Sequence, residues 1–302
     1  MPAAVRVLVT NDDGVEAPGL HALAAAIAEL GHDVVVVAPT VDMSGAGASI
    51  GRLTSDDELH ATPVQLPGAE GVPAFSLPGP PGLCVLAARL GALGPAPDLV
   101  VSGINPGCNT GRAVLHSGTV GAALTAANFG VKGLAVSVDM PRSERLALGE
   151  APRWATAAAF GARAVGWMVD SPVGTVLNLN VPDLPIDEVR GVRWATLAPF
   201  GTVRTTVIQP VGPEGGRLQL ELRPHREELP ASSDTALIRG GYATITRLTG
   251  VQATDPVDPD DIFGPSPAGG GNGHGSHTRD DNGDGGFDIE VGPVPTEADG
   301  GP

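Results

Sequence analysis

The first 38 residues narrow the fold more than any other stretch. Val5-Arg6-Val7-Leu8-Val9-Thr10 is an apolar run of strand type, and Ala17-Pro18-Gly19-Leu20 opens a helix with proline in its first turn. Leu20, Leu23, Ala24, Ile27 and Leu30 recur on one helical face before Gly31 stops it, and Asp33 to Ala38 (DVVVVA) is a second near-continuous apolar run. Strand, helix and strand in so short a span form a βαβ unit with a right-handed crossover. Continuous apolar strands belong to a parallel sheet covered on both faces. Similar units follow: a helix from Pro80-Pro81-Gly82 to about Leu93, a strand at Asp98–Ser102, a helix to about Phe129, a strand at Leu134–Val138, a helix over Arg153–Val169 and a strand at Thr175–Asn180. Between the second strand and the Pro80 helix the chain is irregular, with short strand candidates at Val64–Leu66 and Ala74–Leu77.

In an open sheet of this kind ligands bind outside the carboxyl ends of the strands. The first strand ends in Asn11-Asp12-Asp13-Gly14. Neighbouring side chains on a continuing strand point to opposite faces, but a glycine lets the chain turn so that Asp12 and Asp13 converge. Two like charges held close need a cation or a shared proton, and a hard divalent ion suits oxygen ligands. The tetrapeptide is equally compatible with a turn and a capping acid, so the site reading depends on what else arrives at this end of the sheet.

Two loops arrive there. Pro39 to Arg52 contains Met43-Ser44-Gly45-Ala46-Gly47-Ala48-Ser49; it follows the second strand, so its glycines are misplaced for a dinucleotide fingerprint, which follows the first strand and opens a helix. Ser44 is a candidate neutral oxygen ligand or phosphate contact, or simply a turn former. The second loop runs from Gly103-Ile104-Asn105-Pro106-Gly107-Cys108-Asn109-Thr110-Gly111 to His116-Ser117-Gly118-Thr119 at a helix start, where backbone N–H groups and hydroxyls suit an anion. Ser117 or Thr119 also suits the helix N-cap, and one residue can serve both ends. His116 and Cys108 have no partner at metal-ligand spacing.

Beyond Arg190 the pattern changes to alternating, polar-faced segments at Val192–Leu197, Val203–Gln209, Arg217–Leu222 and Tyr242–Thr246, as expected for an antiparallel excursion that serves subunit contact. From Thr254 onward proline, glycine and aspartate leave little to bury, so residues 254–302 are expected to be a disordered acidic tail attached to a 1–253 domain. Asp280 to Gly285 matches the start of a calcium loop, but Val291 stands where a bidentate glutamate is required.

The net charge of −16 is concentrated in that tail, where eleven acids face one base, leaving −6 for residues 1–253. Such a balance lacks the basic footprint of a nucleic-acid binder but admits small anionic substrates if a metal supplies positive charge. No apolar run is long enough to span a membrane and no signal sequence precedes the first strand, so the expectation is a cytoplasmic protein with Cys84 and Cys108 reduced.

Asn-Asp-Asp-Gly, the Ser44 loop, Ser102-Gly103-Ile104-Asn105 and Ser117-Gly118-Thr119-Val120, in this order, resemble the SurE family of stationary-phase survival 5'/3'-nucleotidases over about residues 5–250. Val181-Pro182-Asp183-Leu184-Pro185 and Gly241-Tyr242-Ala243-Thr244-Ile245-Thr246 extend the likeness. The resemblance implies a Rossmann-like, mostly parallel sheet flanked by helices, with an antiparallel β excursion and a C-terminal oligomerisation segment. It implies a metal-dependent phosphatase acting on nucleoside 5'- and 3'-monophosphates and short polyphosphate, assembled as a homodimer or homotetramer. One divalent ion per subunit, Mg²⁺ or Mn²⁺, would be held by Asp12, Asp13, Ser44 and Asn105. Phosphate contacts would fall on Asn11, Gly45, Asn109, Ser117, Gly118 and Thr119, and catalysis on Asp12, Asp13, Ser117 and Thr119.

The chain departs from the family pattern at Asp42-Met43, where a basic residue is usual, at Pro78–Cys84 and in the acidic tail. These departures leave open a binding module of the same fold with weakened turnover. Phosphorylation of an aspartate, as in phosphatases whose two acids are spaced by one residue, fits the adjacent Asp12-Asp13 poorly.

Overall fold

The structure, a computed structural model, describes residues 4–54, 58–140, 145, 147–199 and 228–253, and the backbone alone at 203–209 and 219–224. The chain divides into two units, 1–250 and 251–302, and beyond Ala253 the second lies outside the described residues, as does the expected tail.

Nine strands of the first unit form one sheet: β1 (Arg6–Thr10), β2 (Asp33–Pro39), β3 (Thr62–Pro63), β4 (Ala74–Leu77), β5 (Leu99–Pro106), β6 (Lys132–Val138), β7 (Val176–Val181), β8 (Val192–Trp194) and β11 (Ala243–Leu248), in the order β3-β4-β2-β1-β5-β6-β7-β11-β8. From β4 to β7 all neighbours are parallel. β3 is antiparallel to β4, and β11 is antiparallel to β7. The remaining strands, β9 (Val203–Gln209) and β10 (Gln219–Pro224), form a separate antiparallel pair.

Helices α1 (Pro18–Ala28) and α4 (Trp154–Met168) cover one face, and α2 (Pro81–Arg89) and α3 (Gly118–Asn128) the other. A short helix, α5 (Asp234–Arg239), precedes β11. The alternation along β1 is visible in the packing. Val7 and Val9 join the α1/α4 core with Leu20, Leu23 and Phe160, whereas Leu8 joins the α2/α3 core with Leu83, Val85 and Ala122. All three β1 side chains are wholly buried, as a parallel strand covered twice requires.

Three sequence expectations are revised. Leu30 does not share the buried face of α1: the helix ends at Ala28 and Leu30 is 48% exposed. The irregular region pairs at Thr62–Pro63 rather than Val64–Leu66. Of the four alternating segments assigned to the excursion, only β9 and β10 leave the main sheet. β11 and β8 return to its edge, where a strand with one covered face alternates just as a hairpin arm does.

The order places β2 on one side of β1 and β5 on the other, so the chain reverses its direction of travel across the sheet between β1 and β5. That is the topological switch point, and the loops leaving β1 and β5 open there.

Candidate active site

The first strand delivers Asp12 to the carboxyl end of the sheet, and Gly14, at φ +99°, turns the chain immediately afterwards. Asn11 is fully buried, and its amide donates to the Gly14 carbonyl at 2.9 Å, fixing the turn. Asp12 is 3% exposed and Asp13 half-buried.

Strand β5 continues through Gly103-Ile104-Asn105, where the glycine suggests a loop, and carries Asn105 past its last pairing with β1 at Ser102. Asn105 donates its amide to the Gly107 carbonyl at 2.6 Å, which turns its oxygen toward Thr119, whose hydroxyl lies 3.3 Å away. The same Thr119 hydroxyl donates to Asp12 Oδ1 at 2.5 Å. Thr119 therefore links Asp12 and Asn105, residues from the two strands that flank the switch point.

Helix α3 is capped by Ser117, whose hydroxyl accepts the Val120 amide at 3.1 Å, so Ser117 and not Thr119 is the N-cap. The helix start presses on Asp12: a Cβ on Gly118 would stand 2.7 Å from Asp12 Cβ and 2.8 Å from Oδ2. Only glycine permits that approach. The amides of Gly118 and Thr119 face the Asp12 carboxylate, placing the positive end of the helix on it.

The Ser44 loop is tied to the same point. The Met43 amide donates to the Asp12 carbonyl at 2.7 Å, and a Cβ on Gly121 of α3 would stand 2.1 Å from the Gly47 carbonyl. Ser44 is exposed; its backbone amide donates to Asp42 at 2.8 Å and its hydroxyl bonds to the same carboxylate. Gly45 is exposed, with no atom within 4 Å of where a Cβ would stand.

Asn109 stands apart from this cluster in a polar network of its own. Its carbonyl accepts the amides of Asn178 and Asn180 at 2.8 and 3.0 Å, its N–H donates to Asn180 Oδ1 at 2.8 Å, and its side chain donates to Ser137 at 3.0 Å. The alternation of Asn178 and Asn180 with Leu177 and Leu179 at the end of a buried strand is the one sequence signal that marks them as polar groups in need of partners.

The electrostatics of the cluster are unbalanced. Burial raises the Asp12 carboxyl above the ordinary range, opposed by the Thr119 hydroxyl and the α3 amides. Asp13 is pushed up to about 7 by burial and by the nearby charges of Asp12 and Asp42. Asp42 itself is held low by its bonds to Ser44. No arginine, lysine or histidine is paired with any of the three among the described residues, and Asp13 Oδ2 is buried without a hydrogen-bond partner. Adjacent carboxylates, an orphaned oxygen and the Asn105 amide oxygen beside Thr119 fit a hard cation. Among the described residues no three His, Cys, Asp or Glu side chains are arranged for a metal, so neutral oxygens would have to complete its shell.

Comparison with known proteins gives the arrangement a lineage. Residues 7–201 match the family model described as Survival protein SurE. A 5'-nucleotidase SurE from Aeromonas hydrophila is 36% identical over 256 residues, covering 81% of this chain and 92% of that one. A 5'/3'-nucleotidase SurE from Shigella dysenteriae is 36% identical over 255 residues, with 81% and 90% covered. The crystal structure of the SurE protein from Aquifex aeolicus superposes with a TM-score of 0.62 at 28% identity, covering 81% of this chain and 93% of that one. With the family model spanning the strands and loops that bring Asp12, Ser44, Asn105 and Thr119 to one end of the sheet, the chain belongs to the SurE family.

Proposed function

We propose that this protein is a divalent-metal-dependent phosphomonoesterase that hydrolyses nucleoside 5'-monophosphates to nucleoside and phosphate, with 3'-monophosphates and short polyphosphate as secondary substrates. The observation that carries this reading is the convergence of Asp12, Asn105 and the first turn of α3 on one point through the Thr119 hydroxyl. The nucleotidase names of the relatives support the substrate class.

Asp12, Asp13 and Asn105, with Ser44 from the adjoining loop, would hold one Mg²⁺ or Mn²⁺. When bound, the ion neutralises charge on the phosphoryl group and lowers the pKa of water toward neutrality. The chain supplies the rest. The N–H groups at the start of α3 and the Thr119 hydroxyl hold the Asp12 carboxylate, and the positive end of the helix they form favours phosphoryl oxygens beside it. Ser117 keeps the first turn of the helix closed by capping it, so Gly118 and Thr119 are held against Asp12. Asp12 is engaged by Thr119 and by the helix amides, which suits a fixed ligand better than an attacking nucleophile.

In this reading the protein works in the cytoplasm as a homodimer or homotetramer. Among the described residues no helix is long and apolar enough to cross a membrane. The β9–β10 pair supports self-association, because a lone two-stranded ribbon is marginal in water without a partner surface.

The test is a panel of nucleoside 5'- and 3'-monophosphates and short polyphosphate, assayed for phosphate release with Mg²⁺, with Mn²⁺ and with chelator. Release from 5'-monophosphates that requires a divalent ion is the expected result. Metal and nucleotide binding without phosphate release under any divalent ion would assign a binding module instead.

A further inference from the structure

One buried charge has no part in the cluster above. Asp234, the first residue of α5, is wholly buried, and no cationic side chain is paired with it among the described residues. Its carboxylate is satisfied by donors from the next residue and from two distant parts of the chain. Oδ1 accepts the amides of Ala198 at 3.0 Å and Thr235 at 2.7 Å and the Thr235 hydroxyl at 3.4 Å, while Oδ2 accepts the amide of Gly111 at 2.8 Å.

Gly111 is the first residue of a 3₁₀ turn, Gly111–His116, which runs directly into Ser117-Gly118-Thr119. Two residues earlier, Asn109 is gripped by Asn178, Asn180 and Ser137. The segment that delivers the start of α3 to Asp12 is therefore fastened to β7 and β6 at Asn109 and to α5 at Gly111. The α5 anchor lies outside the 7–201 stretch that the family model matches.

We propose that Asp234 is a positioning residue for the phosphate-facing start of α3, acting through the Gly111 amide; this rests on the phosphatase reading above. An ion-to-amide bond at a buried site is stronger than a neutral one, and misplacement of a reacting group by as little as an ångström slows catalysis. The two oxygens of Asp234 are not equivalent. An asparagine in its place keeps its oxygen toward the donors of Ala198 and Thr235 and turns its NH₂ toward the Gly111 N–H, so donor meets donor at the one bond that reaches the site.

Asp234→Asn tests this in the full-length protein, with Mn²⁺ affinity, inhibition by inorganic phosphate and the kinetics of nucleoside monophosphate hydrolysis measured beside the parent. The expected result is Mn²⁺ affinity unchanged within about twofold, a weaker grip on inorganic phosphate, and kcat lowered about tenfold, the scale on which supporting hydrogen bonds around a reactive site act. A variant that melts earlier but keeps the parent's kcat and phosphate inhibition would overturn the proposal and make Asp234 structural only. If the parent releases no phosphate, the phosphatase reading itself has failed. Should the variant not fold, hydrogen exchange of the parent decides: added phosphate with Mn²⁺ should slow exchange at 109–119 and at 233–236 together. Protection confined to the first segment would overturn the coupling.

Discussion

Asp13→Asn is expected to lower phosphate release by about 1,000-fold or more, the upper range for losing one preorganised electrostatic partner, while the metal-free protein becomes more heat-stable near pH 8. The two effects have one cause. Asp13 carries a carboxyl raised to about 7 by burial and by Asp12 and Asp42, so ionising it in the folded chain is unfavourable without a cation. A carboxyl whose folded pKa exceeds its unfolded value of 3.8 lends its stability below about pH 4 and loses it progressively as pH rises to about 7. Metal-free parent protein should therefore melt lower at pH 8 than at pH 5, and the asparagine variant should lack most of that decline. Melting curves at both pH values, with chelator present, check the sign. Equal pH dependence in parent and variant would show that Asp13 does not bear the unfavourable charge.

Gly118→Ala should also be damaging although it removes no chemical group. The added Cβ would stand 2.7 Å from Asp12 Cβ and 2.8 Å from Oδ2, inside any real contact distance, so α3 and Asp12 must move apart. Displacement by about 1 Å at a reacting centre costs on the order of 100-fold. Asp12 would also lose its hydrogen bond from Thr119 and the facing helix amides, all of which hold its carboxyl down against burial. Steady-state kinetics should show the loss in kcat, with the far-ultraviolet spectrum unchanged. A variant with parental kcat would mean that the start of α3 and Asp12 need not touch during turnover.

Much of the placement of these candidate groups is legible in the sequence because each follows an apolar strand. Asp12, Asp13, Ser44 and Asn105 come after β1, after β2 and at the end of β5, and a parallel sheet necessarily sends those segments to one end. The residues that hold the site are harder to read. Glycine and proline at Gly103 and Pro106 suggest a loop, yet β5 runs through them, because β6 pairs with it as far as Pro106. Asn178, Asn180 and Asp234 act on Asn109 and Gly111 across 69 to 123 residues of chain, and no local pattern announces such a partner. The same limit applies to β11 and β8, whose polar alternation is shared by a sheet edge and a free hairpin.

Asp42 illustrates a departure from the family pattern whose consequence only the structure defines. Its carboxylate accepts the Ser44 amide and bonds the Ser44 hydroxyl, and its charge adds to the load on Asp13. In the proposed phosphatase a third acid at the mouth would strengthen the demand for a cation and weaken the attraction for a free anion, so that receiving a phosphate would depend more heavily on the metal.

The most direct measurement is a Mn²⁺ titration of chelator-treated protein in which bound ion, counted by electron paramagnetic resonance, and phosphate release from a nucleoside 5'-monophosphate are read on the same samples. One bound ion per chain, with release rising in step with its occupancy and both abolished by Asp13→Asn, is the expected result. Phosphate release that persists at full rate in excess chelator would contradict the assignment of Asp12, Asp13, Ser44 and Asn105 to a catalytic cation.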